Sequence, residues 1–166
     1  MSTKDEIEKL IADLHSKEGN VREHARNRIV EIGRPAVPFL IELLDNSNHH
    51  MRWEACKALG AIPDPSTAAA LANLLSDESI EIRWLAAEAL IALKRHALPP
   101  LLRILQSKFE SPYVREGAHH ILYALQREKL LTKDTKAVLE ALSYLKPKGS
   151  AAAAAHHALH SVTHHP

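Results

Sequence analysis

The chain has 166 residues, of which 46% are hydrophobic and only 4% aromatic. This balance, in which alanine and leucine dominate, is typical of packed helices and argues against a β-rich fold. The 21 lysines and arginines nearly balance the 20 aspartates and glutamates, so the formal net charge of +1 provides no global field that would attract nucleic acid or an acidic membrane.

Neither a membrane span nor a secretory signal is expected. No apolar run approaches the roughly 20 residues that a spanning helix needs. The first six residues, MSTKDE, lack the apolar centre of a signal peptide, and the single cysteine, Cys56, cannot form an internal disulfide. We therefore predict a cytoplasmic protein.

The first half of the chain is predicted to form two helix pairs. Apolar residues at the spacing of one helical face indicate a first helix over 4–17, followed by a second over about 21–32 that stops at Gly33. Pro35 begins the next helix, which the polar run 45–48 breaks. The following helix is predicted to end at Gly60.

The second half repeats this arrangement and then departs from it. The connector 63–66 precedes a helix pair that ends near Leu93, and Pro99 and Pro100 lie near the start of the next pair, whose second helix runs over about 112–127. Asn48, Ser79 and Ser111 each stand four residues before an arginine and are predicted to be N-caps. After Thr132 the pattern weakens, with helices expected through 137–145 and about 150–162, as in a capping repeat.

One sequence frame recurs in the second helix of each pair. It reads apolar-Arg-x-x-Ala-x-x-x-Leu/Ile, and its arginines, 30, 31 and 32 residues apart, are Arg22, Arg52, Arg83 and Arg115. A near-constant period of this length predicts a stacked helical array. We expect one domain over 1–166, with repeats over about 5–33, 35–60, 65–94 and 97–127 and a divergent capping pair over about 132–162.

Helical geometry divides the residues of this frame between two faces. With the arginine at 0° and about 100° per residue, the apolar residue before it, the alanine and the final leucine or isoleucine fall at about −100°, −60° and −20°, which predicts a core seam. The positions one, five and eight after the arginine fall at about 100°, 140° and 80°, opposite the seam. These predicted inner-surface residues are Glu23, Asn27, Val30, Trp53, Lys57, Gly60, Trp84, Glu88, Ile91, Glu116, His120 and Tyr123.

The chain resembles HEAT repeats, specifically the short subtype called phycobilisome-lyase HEAT-like. The resemblance rests on the helix pairs, the period and segments such as PFLIELLD at 38–45 and RWEACKALG at 52–60, and it covers roughly 7–127. It implies an all-α fold, a right-handed α-solenoid of helical pairs. For function it implies a scaffold for protein partners, because the family mostly serves that purpose.

Two enzymatic relatives with similar architecture can be compared residue by residue. Deoxyhypusine hydroxylase carries His-Glu pairs that bind two irons, but this chain has no His-Glu dipeptide, and Arg52 and Arg83 are each followed by tryptophan. HEAT-like DNA glycosylases line a concave groove with basic and aromatic residues. The residues that resemble that lining in type are Trp53, Trp84, Tyr123 and Lys57, and no catalytic residue can be matched. We therefore expect no catalytic residue.

The two tryptophans are the leading candidates for a binding site. Either both rings project from the inner surface as anchors for a partner, since tryptophan is favoured at binding hot spots, or each folds sideways between neighbouring helices. We favour anchors. The predicted partner-binding residues are Trp53, Lys57, Trp84, Glu88, Glu116, His120 and Tyr123.

The repeat arginines have two possible roles. One arginine per repeat could follow a phosphate backbone, or the four could form a structural ladder that pairs with turn acids such as Asp45 and Asp77. The neutral net charge favours the structural ladder and disfavours nucleic acid as a partner.

No metal or cofactor is expected. His156, His160 and His164 have the spacing of one helical face, yet no carboxylate or thiolate accompanies them. Adjacent His119 and His120 diverge and cannot share a metal without outside ligands. Cys56 lies near the margin of the seam and is interpreted as a small buried apolar residue.

The sequence thus predicts a non-catalytic scaffold or adaptor that binds another protein or a peptide segment through its inner helices. Two alternatives stay open. The subtype's name implies an accessory or lyase-type role in attaching a chromophore to a carrier protein, and the concave face could bind nucleic acid. The oligomeric state is left open by the sequence.

Overall fold

The structure is a computed structural model that describes residues 2–143 and 158–159. Within these ranges all regular elements are helical, and none of the helices combines the length and apolar character that a membrane crossing requires. The α-helices are α1 (Thr3–Asp13), α2 (Gly19–Ile32), α3 (Val37–Leu43), α4 (His49–Ala61), α5 (Ala68–Asn73), α6 (Ile80–Ala92), α7 (Leu98–Ser107), α8 (Pro112–Arg127) and α9 (Lys133–Ser143). Short 3-10 helices flank the outer helices at Arg34–Ala36, Pro65–Thr67, Leu74–Ser76 and Lys94–Ala97.

The helices pack as consecutive pairs in a stacked array. The outer helices α1, α3, α5 and α7 each contact the inner helix that follows in sequence. The inner helices α2, α4, α6 and α8 lie side by side, and α9 packs against α8. The predicted all-α solenoid is confirmed.

The predicted seam forms the core. The alanine of the frame is fully buried in every repeat, and so is the leucine or isoleucine four residues later; these residues are Ala25, Ile29, Ala55, Leu59, Ala86, Leu90, Ala118 and Leu122. The apolar residue before the arginine is buried in the last three repeats but exposed at Val21. The prediction is wrong for Val21 because α4 is the only described inner helix that packs extensively against α2, whereas α4 and α6 each have an inner helix on both sides.

The predicted helix starts and stops are largely confirmed. Asn48 accepts a hydrogen bond from the backbone N–H of His50, and Ser79 and Ser111 accept from residues three positions later, so all three are N-caps. Gly33 has a φ of 73°, a conformation that glycine adopts without a Cβ clash.

Several boundaries differ from the sequence prediction. The first helix ends at Asp13 rather than at 17, and α4 continues to Ala61 rather than stopping at Gly60. The predicted helix over about 150–162 lies outside the described residues except for Ala158 and Leu159, which are helical. Ala158 is buried in the common core.

Candidate partner-binding groove

An exposed apolar groove lies between α6 and α8. Among the described residues, the exposed large hydrophobic side chains are Val21, Ile80, Trp84, Tyr113 and Tyr123, and all but Val21 belong to these two helices. A cavity of about 190 Å³ opens between the helices, and we call it the aromatic groove. Its lining includes Ile80, Arg83, Trp84, Tyr113, Glu116 and His120. Exposed apolar surface gathered in a concavity is typical of a binding site.

Trp84 occupies the centre of this surface with 56% of its area exposed. Its ring contacts the imidazole of His120, with 4.8 Å between ring centroids and an interplanar angle of 34°. His120 Nε2 lies 2.9 Å from Glu88 Oε1, one turn further along α6. The neighbouring inner helices therefore hold Trp84, Glu88 and His120 in one contact network.

Arg83 from α6 and Tyr113 from α8 also line the groove and contact each other. The guanidinium carbon of Arg83 lies 3.9 Å from the ring centroid of Tyr113, a close cation–π contact. Arg83 Nη1 donates hydrogen bonds to the carbonyl oxygens of Asp77, at 2.8 Å, and Glu78, at 3.1 Å. These bonds fix the Arg83 guanidinium in its position against the Tyr113 ring.

Gly117 allows α8 to approach the preceding pair closely at the groove. It stands two residues after Arg115, at the position that holds Glu54 in the second repeat and Leu85 in the third. A Cβ on Gly117 would lie 3.0 Å from Leu75 Cδ2, closer than real Cβ atoms normally approach. The absence of a side chain at Gly117 thus lets Leu75 pack beneath the groove.

The predicted binding residues fall into two groups. Trp84, Glu116 and His120 line the aromatic groove, and Glu88 is bonded to it through His120. Tyr123 is exposed further along α8, where its ring stacks on His119 with 6.3 Å between centroids. The structure thus brings together four of the seven predicted residues and places Tyr123 on α8, the helix of Glu116 and His120.

Trp53 and Lys57 lie on α4, away from the aromatic groove. Trp53 is half-buried and packs against the core, so the expectation that both tryptophans share an exposed position is wrong. The physical reason is local: Lys57 Nζ lies 4.5 Å and Arg26 Cζ 5.7 Å from its ring centroid. These cations cover a π-face that would otherwise meet a partner. Lys57 itself lines a wider depression along α2, α4 and α6.

Sequence reasoning missed Ile80, Tyr113 and the groove role of Arg83. At about 100° per residue, Ile80 falls at about 60° relative to Arg83 and Tyr113 at about 160° relative to Arg115. Both angles flank the predicted inner-surface sector. Extending the helical projection to the residues before each arginine would have found them.

The repeat arginines are structural in every repeat. Each uses Nη1 to bind the backbone carbonyl oxygens six and five residues earlier, in the turn after the outer helix: Arg22 those of Ser16 (2.8 Å) and Lys17 (3.0 Å), Arg52 those of Asn46 (2.9 Å) and Ser47 (3.3 Å), Arg83 as above, and Arg115 those of Phe109 (2.7 Å) and Glu110 (3.1 Å). Orphan carbonyls near a helix end need such donors. The structural interpretation is confirmed, and it weighs against a phosphate-binding ladder.

The acids that pair with these arginines differ partly from the prediction. Arg52 binds Asp77 through two nitrogen–oxygen contacts of 2.9 and 3.2 Å, and this hydrogen bonding raises the pKa of the Arg52 guanidinium. Arg22 pairs with Glu54 rather than with Asp45. Glu54 also accepts a 2.6 Å hydrogen bond from Arg26, and both residues are buried. Arg22, Arg26 and Glu54 thus form an ion cluster that no sequence pattern indicated; Arg26 and Glu54 are buried, and Arg22 is partly exposed.

Potential metal ligands do not cluster in the described part of the chain. Residues 2–143 and 158–159 contain no cluster of three or more histidine, cysteine, aspartate or glutamate side chains that could hold an ion. His156, His160 and His164 lie outside the described residues.

Cys56 is expected to be inert to thiol reagents in the native protein. It is fully buried, and burial, with a smaller effect of the Asp77 carboxylate, raises the pKa of its thiol to about 12. A disulfide reagent at pH 8 should modify it only after unfolding in urea, because reaction needs an accessible thiolate. Rapid labelling of the folded protein would contradict the burial.

The raised pKa of the Cys56 thiol also makes stability depend on pH. Since the unfolded thiol has a pKa of 9.0, the free energy of unfolding should fall as the pH rises above that value.

Comparison with known proteins agrees with this architecture. Residues 7–91 match the family described as HEAT repeats, whereas none of the curated proteins matches. A solved structure, the complex of CpcE and CpcF of phycocyanin lyase from Nostoc sp. PCC7120, is 25% identical over 93% of this chain and 98% of that chain, with a TM-score of 0.62. An engineered protein is 21% identical over 95% and 79% of the two chains, with a TM-score of 0.48, and a designed armadillo repeat protein in complex with the peptide (KR)4 is 20% identical over 90% and 80%, with a TM-score of 0.45. The predicted resemblance to HEAT-like repeats of the lyase subtype is confirmed, and the chain belongs to the HEAT-repeat family.

Proposed function

We propose that this HEAT-repeat protein is a non-catalytic scaffold that binds a segment of a partner protein on its inner helices, with the aromatic groove as the anchor point. The observation that carries the proposal is the exposed ring of Trp84, set between Ile80 and Tyr113 in a preformed concavity. Tryptophan and tyrosine are the residues most enriched at binding hot spots, and desolvation of Trp84 would supply much of the binding energy.

The rigidity of the groove supports this role. Each wall belongs to a helix whose opposite face is buried, at Leu90 in α6 and at Leu122 in α8. Trp84 already contacts His120, and Arg83 is fixed by backbone carbonyls. A partner segment that binds here would therefore lose most of the conformational entropy, while the scaffold would lose little.

Replacing Trp84 with alanine is expected to weaken partner binding by about tenfold or more, because the central anchor is lost. The test is to select binding segments from a peptide-display library on the wild-type protein and to measure the dissociation constants of the selected segments by fluorescence anisotropy. Because Trp84 is mostly exposed, the Trp84→Ala variant should keep the circular-dichroism spectrum of the wild type.

Val21→Ala is the matched control, since Val21 is an exposed apolar residue on α2, outside the groove. It should bind the selected segments as the wild type does. Equal affinity of the wild-type and Trp84→Ala proteins for every selected segment, or failure to select any segment, would contradict the proposed function.

A second candidate function is a lyase-type accessory role in attaching a chromophore to a carrier protein. It is favoured by the likeness to the phycocyanin lyase complex, which spans nearly the whole of both chains. In this case the partner on the inner surface would be the carrier or a second lyase subunit. The test is to mix the protein with apo-phycocyanin and its chromophore, with and without CpcE or CpcF, and to follow visible absorbance; an unchanged rate of covalent attachment in every mixture would exclude this role.

A further inference from the structure

We propose that the aromatic groove selects a basic segment, one in which a lysine or arginine side chain adjoins an apolar residue. This inference rests on the proposed function and adds the chemistry of the partner. Some charged side chains around the groove already have partners within the protein, whereas others are free to pair with a ligand. This difference indicates the charge of the partner.

The cationic side chain that lines the groove is committed to internal contacts. Arg83 Nη1 donates to two backbone carbonyls, and the Tyr113 ring covers the guanidinium. Nearby Arg115 likewise donates to the carbonyl oxygens of Phe109 and Glu110. Nη1 of each arginine is therefore occupied, and in Arg83 the Tyr113 ring also covers the guanidinium, so these arginines present fewer free donors to an incoming acidic group.

The acidic side chain that lines the groove is available. Glu116 is exposed and makes neither an ion pair nor a hydrogen bond within the described part of the chain. Glu88, outside the groove lining, contacts the lining residue His120 and still has 48% of its side chain exposed. A lysine or arginine of a partner could pair with Glu116 without displacing an existing contact.

The aromatic lining favours the same partner chemistry. An ammonium or guanidinium group is attracted to the face of an indole ring, and its alkyl stem packs on apolar surface. Trp84 provides the exposed ring, and Ile80, with 70% of its area exposed, provides apolar surface at the start of the same helix. A basic side chain with an apolar neighbour would use Trp84, Ile80 and Glu116 together.

The size of the cavity also favours side chains over a cofactor. Its volume of about 190 Å³ lies below the roughly 300 to 1,000 Å³ that is typical of small-molecule pockets. One or two side chains of an extended segment fit this volume better than an organic cofactor. The occupant that we infer is therefore a peptide segment with a basic anchor.

The test uses three fluorescein-labelled peptides of equal length in which leucine alternates with lysine, glutamine or glutamate. Fluorescence anisotropy should show that the wild-type protein binds the lysine peptide most tightly, and added salt should weaken that binding. Glu116→Gln should bind the lysine peptide about two- to five-fold more weakly, as expected for one exposed ion pair. Glu42→Gln is the matched control: it removes an exposed carboxylate from the outer helix α3 and should change nothing.

The outcomes separate this inference from the proposed function. One outcome is that the glutamine or glutamate peptide binds the wild type as tightly as the lysine peptide does, and that Trp84→Ala no longer binds it. This outcome would overturn the basic-segment inference but leave the proposed binding groove in place. Equal binding by all variants, Trp84→Ala included, would count against both. If the lysine peptide does not bind, or binds the wild type and Glu116→Gln equally, the basic-segment inference is wrong.

Discussion

Replacing Glu54 with glutamine is expected to lower the free energy of unfolding by about 3 to 5 kcal/mol, because it removes the negative charge from a buried ion cluster. The Glu54 carboxylate lies 2.6 Å from Arg26 Nη1 and 3.3 Å from Arg22 Nε, and only 5% of its side chain is exposed. Glutamine nearly preserves the volume, so a cavity contributes little. The loss comes from leaving the buried Arg26 guanidinium with only the exposed Glu23 carboxylate, 3.9 Å from Nη2, as a counter-charge.

Urea denaturation, followed by tryptophan fluorescence and circular dichroism, measures this loss. Glu31→Gln is the matched control, since Glu31 forms an exposed ion pair with Arg28 and should change stability little. The double variant Arg26→Met, Glu54→Leu should recover stability relative to Glu54→Leu alone, because neither polar partner then remains buried and unpaired. Similar midpoints for Glu54→Gln and Glu31→Gln would show that the Glu54 carboxylate is solvated.

The fold could be predicted from the sequence because the solenoid is built from local, repeated information. The seam positions, the N-caps and the turn glycine each depend on residues within one repeat. Where a position depends on a neighbouring repeat, the prediction fails, as at Val21, which the frame places in the seam but which is exposed. A periodic pattern describes the average repeat and not the first one.

The candidate site could be predicted only in part, for a related reason. The helical projection placed Trp53 and Trp84 at equivalent positions, yet Trp53 is half-buried beneath Lys57 and Trp84 is exposed. The difference lies in the side chains contributed by adjacent helices. Arg26 from α2 adds a second cation over the ring of Trp53, whereas within the described residues the Trp84 ring has an aromatic contact with a tilted His120 and no cation over its face. A single-helix projection contains no information about such contacts between helices.

The buried ion cluster escaped prediction because its members are far apart in the sequence. Glu54 follows the frame arginine of the second repeat by two residues, and Arg26 follows that of the first by four. Arg26 shares the position of Cys56 near the margin of the seam, but charged residues such as Arg26 and Glu54 are normally expected at the surface. Packing of α2 against α4 buries Arg26 and Glu54 together and makes their pairing necessary.

Replacing Leu90 with alanine is expected to destabilise the protein by about 2 to 5 kcal/mol. Leu90 is fully buried in α6, the inner helix that contacts α4 on one side and α8 on the other. The lost stability has two parts: the transfer free energy that burial of the removed side-chain carbons had contributed, and the cost of the cavity that remains. Because α6 links the first two pairs to the last, the defect should weaken the coupling between both halves of the array.

Ile80→Ala is the control for this measurement, because it removes an aliphatic side chain from the same helix at a position that is 70% exposed. Its effect should stay within about 0.5 kcal/mol. Thermal and urea unfolding should be followed both by circular dichroism, which reports on all helices, and by the fluorescence of Trp84 and Trp53. In Leu90→Ala the midpoint of the transition followed by fluorescence should differ from the midpoint followed by circular dichroism. This is the result expected if interfaces with α6 hold the array together as one cooperative unit. A destabilisation below about 1 kcal/mol, with coincident signals, would mean that the seam at Leu90 can close around the cavity and that coupling between repeats depends on the arginine contacts instead.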